Sequence, residues 1–213
     1  MPSKLRMEKT DKRLDILRAA EMLFSEFGFE GTSTRQISKE SGANMAMINY
    51  YFGSKEGVFI EIMEGRISGF KTQLNLIDEE KISPKEKLLK VVDQYANQIF
   101  ANIRFHKMMH RELLLNQRPE LFTQIKDAMS CNRKVIENII EKGIAEGSFR
   151  QVDIRMSIAS IMGTITLIAT APSKVEDTQN FDFDNPEQRE TLRKRLVAHL
   201  QDLIITHLTK TKQ

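Results

Sequence analysis

The chain has 213 residues, 40% of them hydrophobic and 29% charged, with a net charge of +3. That balance excludes global disorder. A lone Cys131 excludes a disulfide scaffold and suits a reducing compartment. The longest uncharged run, Met156 to Ser173, contains Ser157, Ser160, Gly163, Thr164 and Thr166 and is shorter than the roughly 20 apolar residues a membrane-spanning helix needs. The N-terminus is charged and lacks the apolar stretch of a signal peptide, so a cytoplasmic protein with no membrane partner is expected. Basic residues dominate that end (Lys4, Arg6, Lys9, Lys12, Arg13, Arg18), a distribution that points more to a polyanion than the net charge does.

In chain order, nearly everything reads as helix. A first helix is expected from near Asp11, with Ile16, Ala20, Leu23, Phe24 and Phe27 on one face and Gly28 as a left-handed cap. Thr32-Ser33-Thr34 offers an N-cap for a short second helix that stops at Gly42. Asn44 caps a third running to about Tyr51, and Ser54 a fourth from Lys55 to about Leu76. A polar stretch, Asp78 to Ser83, marks a junction. Ser83-Pro84 then starts a helix with the stripe Leu88, Val92, Tyr95, Ile99 and Ile103. Helices from His106 to Leu115 and from Pro119 to near Gly147 follow. From Asp153 to Pro172 the chain is apolar nearly all round. An acidic loop, Lys174 to Asp184, leads to a last helix opened by Asn185-Pro186 and carrying Leu192, Leu196, Leu200, Leu203 and Leu208.

The informative segment is Thr32 to Lys55, TSTRQISKESGANMAMINYYFGSK. Two short helices joined by a tight turn containing Gly42 make a helix-turn-helix signature. The second helix fits a DNA major groove roughly 12 Å wide. The first can aim its N-terminus, with the Thr34 hydroxyl, at a phosphate. Tyr50, Tyr51 and Lys55 lie where phenol hydroxyls and an ammonium can hold further phosphates.

The run Phe27-Gly28, Gly31-Thr32-Ser33-Thr34, Ile37, Gly42, Tyr50-Tyr51-Phe52 and Ser54-Lys55 resembles the DNA-binding domain of the TetR family of bacterial transcriptional repressors, over about Ile16 to Phe59. The resemblance implies an all-α fold: a helix-turn-helix domain at 1–54, a linking helix at about 55–76, and an effector-binding and dimerisation domain at 77–213. It also implies roles. Thr34 binds a phosphate, and Arg35 a base edge or phosphate. Asn44, Met45, Ala46 and Met47 form the groove-facing start of the recognition helix. Tyr50, Tyr51 and Lys55 grip the backbone, and Ile37, Ile48 and Phe52 are core. Met45 and Met47 depart from the family pattern and cannot form the bidentate pairs that read guanine or adenine. Asn49 replaces a common Tyr and can contact adenine or phosphate, or face solvent. Specificity then rests on Arg35, Asn44 and Asn49, helped by DNA shape.

A short reading unit alone binds weakly, so pairing is expected. One face of the Met156–Ala171 helix can meet its own core and the other a second chain. Ile158, Ala159, Met162, Gly163 and Thr166 are assigned to that interface, with Leu196, Leu200 and Leu203 from the last helix. In TetR-like proteins these two helices form a four-helix bundle with their symmetry mates, which sets the recognition helices on successive major grooves of a palindrome. The effector pocket is expected from Tyr95, Ile99, Phe100, Ile103, Phe105, Met108, Met109, Leu113, Phe122, Ile125 and Met129, a compliant wall for a small, largely apolar ligand. The partners are thus double-stranded DNA, a second copy, and that ligand, which acts by population shift. No cofactor, metal or catalytic group is assigned. His106 and His110, one turn apart, make only half a metal site and read as surface or pocket-edge residues, and Cys131 reads as a buried or half-buried thiol. Two alternatives are a helical small-molecule-binding module or enzyme without a DNA role, and a DNA-binding regulator whose pocket is closed.

Overall fold

The computed structural model describes residues 2–115, 119–176, 181–182 and 184–209, with side chains from Lys12 onward except at 119–122 and 124. Helices carry most of the described residues: α1 (Pro2–Phe27), α2 (Thr34–Ser41), α3 (Met45–Phe52), α4 (Lys55–Glu79), α5 (Pro84–Ala101), α6 (Ile103–Leu115), α7 (Pro119–Ala145), α8 (Ile154–Thr170) and α9 (Pro186–Leu208). A 3₁₀ turn at Pro172–Lys174 follows α8. Among the described residues, extended pairing is confined to one antiparallel bridge between Phe149 and Thr209.

Local chemistry sets most helix starts. Free N–H groups at a helix start need acceptors. Here they come from Ser33 for α2, Asn44 for α3, Ser54 for α4, Ser83 for α5, Asp153 for α8 and Asn185 for α9. Ser33 with Gln36 and Ser83 with Glu86 are reciprocal capping boxes. The α5 box holds the Glu86 carboxyl below its ordinary range, because the Ser83 hydroxyl and backbone N–H both donate to it.

Two sequence expectations shift. Helix α1 begins at Pro2 rather than near Asp11. Phe27, expected on the core face, is 50% exposed, while Phe29 is buried. Gly28 adopts φ +77°, a left-handed conformation that turns the chain back so that Phe29 takes the inward place.

The chain forms two compact units. The first comprises residues 1–67 with 104–127, the second residues 68–103 with 128–213. In the first, Ile16, Ile37, Ile48, Met63, Phe105 and Ile125 are fully buried around three packed rings. Phe24 lies 5.4 Å from Phe29 and 5.6 Å from Phe59, and Phe29 lies 5.1 Å from Phe59. Residues of α6 and early α7 therefore complete the core of the helix-turn-helix unit.

The core of the second unit gathers Leu74, Val92, Ile99, Ile139, Ile165 and Ile204, among others. Across α5 and α9, the Arg193 guanidinium donates to Asp93 and to both Glu190 oxygens, each at 2.8 Å. The hydrogen bond from Arg193, aided by the charges of Arg193 and Lys194, holds the Glu190 carboxyl down at about 2. A folded-state value below the unfolded one stabilises the protein above the unfolded value, and that contribution is lost as pH falls through the folded value. The Tm difference between the parent and Glu190→Gln is therefore expected to be full above pH 4.5 and to vanish as pH approaches 2, as followed by thermal melts across that range.

Candidate nucleic-acid interface

The reading head is built on a latched turn. Gly42 holds φ +60°, which permits the sharp exit from α2. The hydroxyls around it fix the geometry. Ser38 donates to the Ala43 carbonyl at 2.7 Å and Ser41 to the Ile37 carbonyl at 2.7 Å, while the Ala43 N–H donates to Ser41 Oγ at 3.3 Å. Ile37 and Ile48 are wholly buried and seat the two short helices on the core.

That seating decides what faces outward. On α3, Met45, Ala46, Asn49 and Tyr50 are exposed, Tyr50 at 77%, while Met47 and Tyr51 are half-buried. The Tyr50 and Tyr51 rings meet edge-on at 5.2 Å. Asn44, also exposed, uses its Oδ1 to accept the Met47 N–H at 2.8 Å, so the oxygen is engaged as a cap and the amide NH2 is the part left to meet a base. At the start of α2, Thr34 is half-buried and Arg35 exposed. The Ser33 cap takes the Gln36 N–H, leaving Thr34 and Arg35 with first-turn N–H groups suited to an anion.

Lys55, which the resemblance assigns to the DNA backbone, also has partners within its own unit. Its ammonium donates to the carbonyls of Phe29 and Thr32, each at 3.0 Å, and lies 4.2 Å from the Phe29 ring centroid. Phe52, expected as core, is partly buried, and the Arg13 guanidinium lies over its ring at 5.4 Å while pairing with Glu61. Lys12 was visible in the sequence only as part of a basic run. Its Nζ would lie 3.7 Å from a Cβ built on Gly42, which places a half-buried cation beside the turn, bridged to Asp15 at 3.6 Å.

The residues expected to line an effector pocket divide between the two cores. Ile99, Phe100 and Ile103 are buried in the second unit. Phe105, Met108 and Ile125 are buried in the first, where Met109 and Leu113 are partly buried. Tyr95 packs on Phe70 at 5.2 Å with its hydroxyl 3.3 Å from Thr166 Oγ1, and burial pushes its phenol pKa up. Met129 is exposed, so α7 turns it away from the core, and the Phe122 side chain lies outside the described residues. A groove of about 520 Å³ lies elsewhere, between α8 and α9, lined by Arg150, Val152, Met156, Ser160, Leu203 and His207 among others.

The proposed pairing face also sorts by exposure. Ala159, Gly163 and Leu203 are exposed, and Met162 and Thr166 half-buried. Ile158, Leu196 and Leu200 are buried in their own subunit's core. The four-residue spacing of Leu192, Leu196, Leu200, Ile204 and Leu208 keeps that stripe on the inner side of α9, which leaves Leu203 outside. On α8, Met156 and Leu167 stand 64% and 52% exposed, in line with Ala159 and Gly163. His106 is buried and His110 exposed, so they do not share an environment, and among the described residues no group of three or more His, Cys, Asp or Glu could hold a metal. Cys131 is exposed, not buried, while Ile136 and Ile139 of the same helix are buried.

Comparison with known proteins decides the family. Residues 16–62 match bacterial regulatory proteins of the tetR family, and residues 84–200 match the tetracyclin repressor-like C-terminal domain. The chain belongs to the TetR family. As a TetR-family chain it is a transcriptional regulator by descent, and the family is not one of enzymes. It is 34% identical over 165 residues to the HTH-type transcriptional repressor NicS of Pseudomonas putida, covering 74% of this chain and 75% of NicS. It is 24% identical to the fatty acid metabolism regulator protein of Bacillus subtilis, over 83% of this chain and 90% of that one. Among solved structures, the TetR regulator PfmR from Thermus thermophilus superposes with a TM-score of 0.71 at 24% identity, covering 92% of this chain and 99% of PfmR. FadR from Bacillus subtilis, solved in complex with stearoyl-CoA, superposes at 0.67 and 23% identity, covering 87% and 97%. Among the described residues of this TetR chain no helix is long and apolar enough to cross a membrane.

Proposed function

We propose that the chain is a repressor that binds a palindromic operator as a homodimer and releases it when a small, largely apolar molecule binds. The observation that carries this reading is the outward face of α3. Buried Ile37 and Ile48 fix the two short helices, and the exposed side of α3 then consists of Met45, Ala46, Asn49 and Tyr50, beside Thr34 and Arg35 at the start of α2. A helix so presented fits a major groove while the start of α2 meets the flanking phosphates. On this reading residues 1–54 read DNA, 55–76 link, and 77–213 bind effector and pair, with α6 also supporting the reading head through Phe105 and Met108.

Pairing rests on the outer faces of α8 and α9. A two-fold dimer would place its recognition helices roughly 34–36 Å apart, one turn of DNA. The apolar residues of the C-terminal helices supply the effector chemistry. The FadR of Bacillus subtilis, which shares the fold, was solved with stearoyl-CoA.

The test is selection of genomic fragments by the purified protein over a salt series. The expected result is an enriched inverted repeat whose affinity falls steeply with salt. Fragments retained without a common sequence, or binding indifferent to salt, would defeat the reading and leave a small-molecule module without a DNA role.

A further inference from the structure

The helix that would enter the groove carries no charged side chain: α3 reads Met-Ala-Met-Ile-Asn-Tyr-Tyr-Phe. Recognition helices meet base edges with their N-terminal residues. Here that leading turn presents Met45, 44% exposed, and Ala46, also exposed, side by side. Asn49 and Tyr50 follow one turn later on the same face. The rest of the turn faces inward, with Ile48 wholly buried and Met47 packed against the core. Asn44, just ahead, aims its Oδ1 at the Met47 N–H at 2.8 Å, as the cap of the helix. The leading turn therefore offers a base pair a thioether and a methyl group.

Of the groups that the bases show in the major groove, one is a hydrocarbon, the C5-methyl of thymine. Guanine O6 and N7, or the cytosine N4 amine, covered by Met45 and Ala46 would lose water and gain no hydrogen bond, which is unfavourable. A thymine methyl under the same two side chains leaves water for carbon and sulfur, which is favourable. The unbranched methionine chain adjusts to the methyl, and Ala46, with only a β-carbon, lets the helix come close. We propose that Met45 and Ala46 read thymine through its methyl group, so that each operator half-site carries thymine opposite the leading turn of α3. The inference rests on the DNA-binding reading and names the base chemistry that reading uses. Polar readout is left to the residues beside them, Arg35, Asn44 and Asn49.

Deoxyuridine isolates the methyl, because it keeps every hydrogen-bonding group of thymine and lacks only that carbon. Duplexes of the selected inverted repeat are made with one thymine position replaced by deoxyuridine in both half-sites. Each is titrated with the parent protein and with Met45→Ala. At one or two positions the parent is expected to lose about fourfold in affinity per methyl, the effect of one buried CH2, hence about sixteenfold for the symmetric pair. Met45→Ala is expected to bind the thymine duplex more weakly, and to bind thymine and deoxyuridine equally at the position that Met45 covers. A loss caused by altered DNA shape would persist in the variant and count against the proposal. With a C·G pair at the same position, 5-methylcytosine is expected to bind about fourfold better per methyl than cytosine. These duplex comparisons with the parent decide the matter even if Met45→Ala does not fold. Indifference of the parent to every deoxyuridine, half-sites without thymine, or an undiminished penalty in Met45→Ala at every position would overturn the proposal. If no inverted repeat is enriched at all, the DNA-binding reading fails first. An enriched repeat bound without regard to the methyl defeats this inference alone.

Discussion

Phe24→Ala is expected to lower the unfolding free energy of the protein by about 3–5 kcal/mol, the range for deleting a fully buried aromatic ring. Phe24 has no exposed surface, and its ring is the member of the Phe24–Phe29–Phe59 cluster contributed by α1. Removing it leaves a cavity bounded by two other rings, which can collapse only by moving the Gly28–Thr32 bend or the start of α4. Both segments meet at Lys55. Chemical denaturation followed by circular dichroism checks the stability. A loss under about 1.5 kcal/mol would mean that the ring cluster repacks freely, against the tight interior expected of such a core. Phe27→Ala, a few residues on but half exposed, is the control and is expected to change stability by less than about 1 kcal/mol.

Leu167→Glu is expected to separate the two copies without harming the fold. Leu167 stands on the outer side of α8, in line with Met156, Ala159 and Gly163, and Gly163 has open space where a side chain would be. A carboxylate buried there by a second copy would face its symmetry mate, and a buried unpaired charge costs several kcal/mol. Analytical ultracentrifugation should show the parent as a dimer and the variant as a monomer with an unchanged melting profile. Operator affinity should drop by about a hundredfold or more, toward the roughly 10⁻⁴–10⁻⁶ M of non-specific binding, because a single reading head gives up half of the contacts. A variant that remains dimeric would move the pairing surface away from this side of α8.

Some of this was readable in the sequence, and the reason is locality. Ser33, Asn44, Ser83-Pro84, Asp153 and Asn185-Pro186 each announce a helix start, because a cap depends on residues within one turn of it. Gly28 and Gly42 announce stops for the same reason. What escaped depends on contacts far apart in the chain. The pattern that put Phe27 inward could not show that a left-handed Gly28 would hand its place to Phe29. The leucines of α9 repeat clearly, but a stripe does not declare whether it faces its own core or a partner. Leu196 and Leu200 face the core and Leu203 faces out. The lysine at 55 matches its family position by type, while its acceptors lie 26 and 23 residues away, beyond any local pattern. Phe105, Met108 and Ile125 read as pocket text and prove to be core of the first unit, a consequence of a chain that leaves that unit and returns to it.

That return path governs how the protein can be made. The second unit is assembled from residues 68–103 and 128–213, and Arg193 on the last helix pairs with Asp93 on α5, 100 positions earlier. The Arg150 N–H closes on the Leu208 carbonyl at 2.8 Å, next to the bridge of Phe149 with Thr209, so even the end of α9 is part of the closed structure. A ribosome must therefore release α9 before Val92, Ile99 and Ile165 find Leu200 and Ile204 to cover them. Until then the nascent chain shows to solvent the apolar flank that α9 goes on to cover.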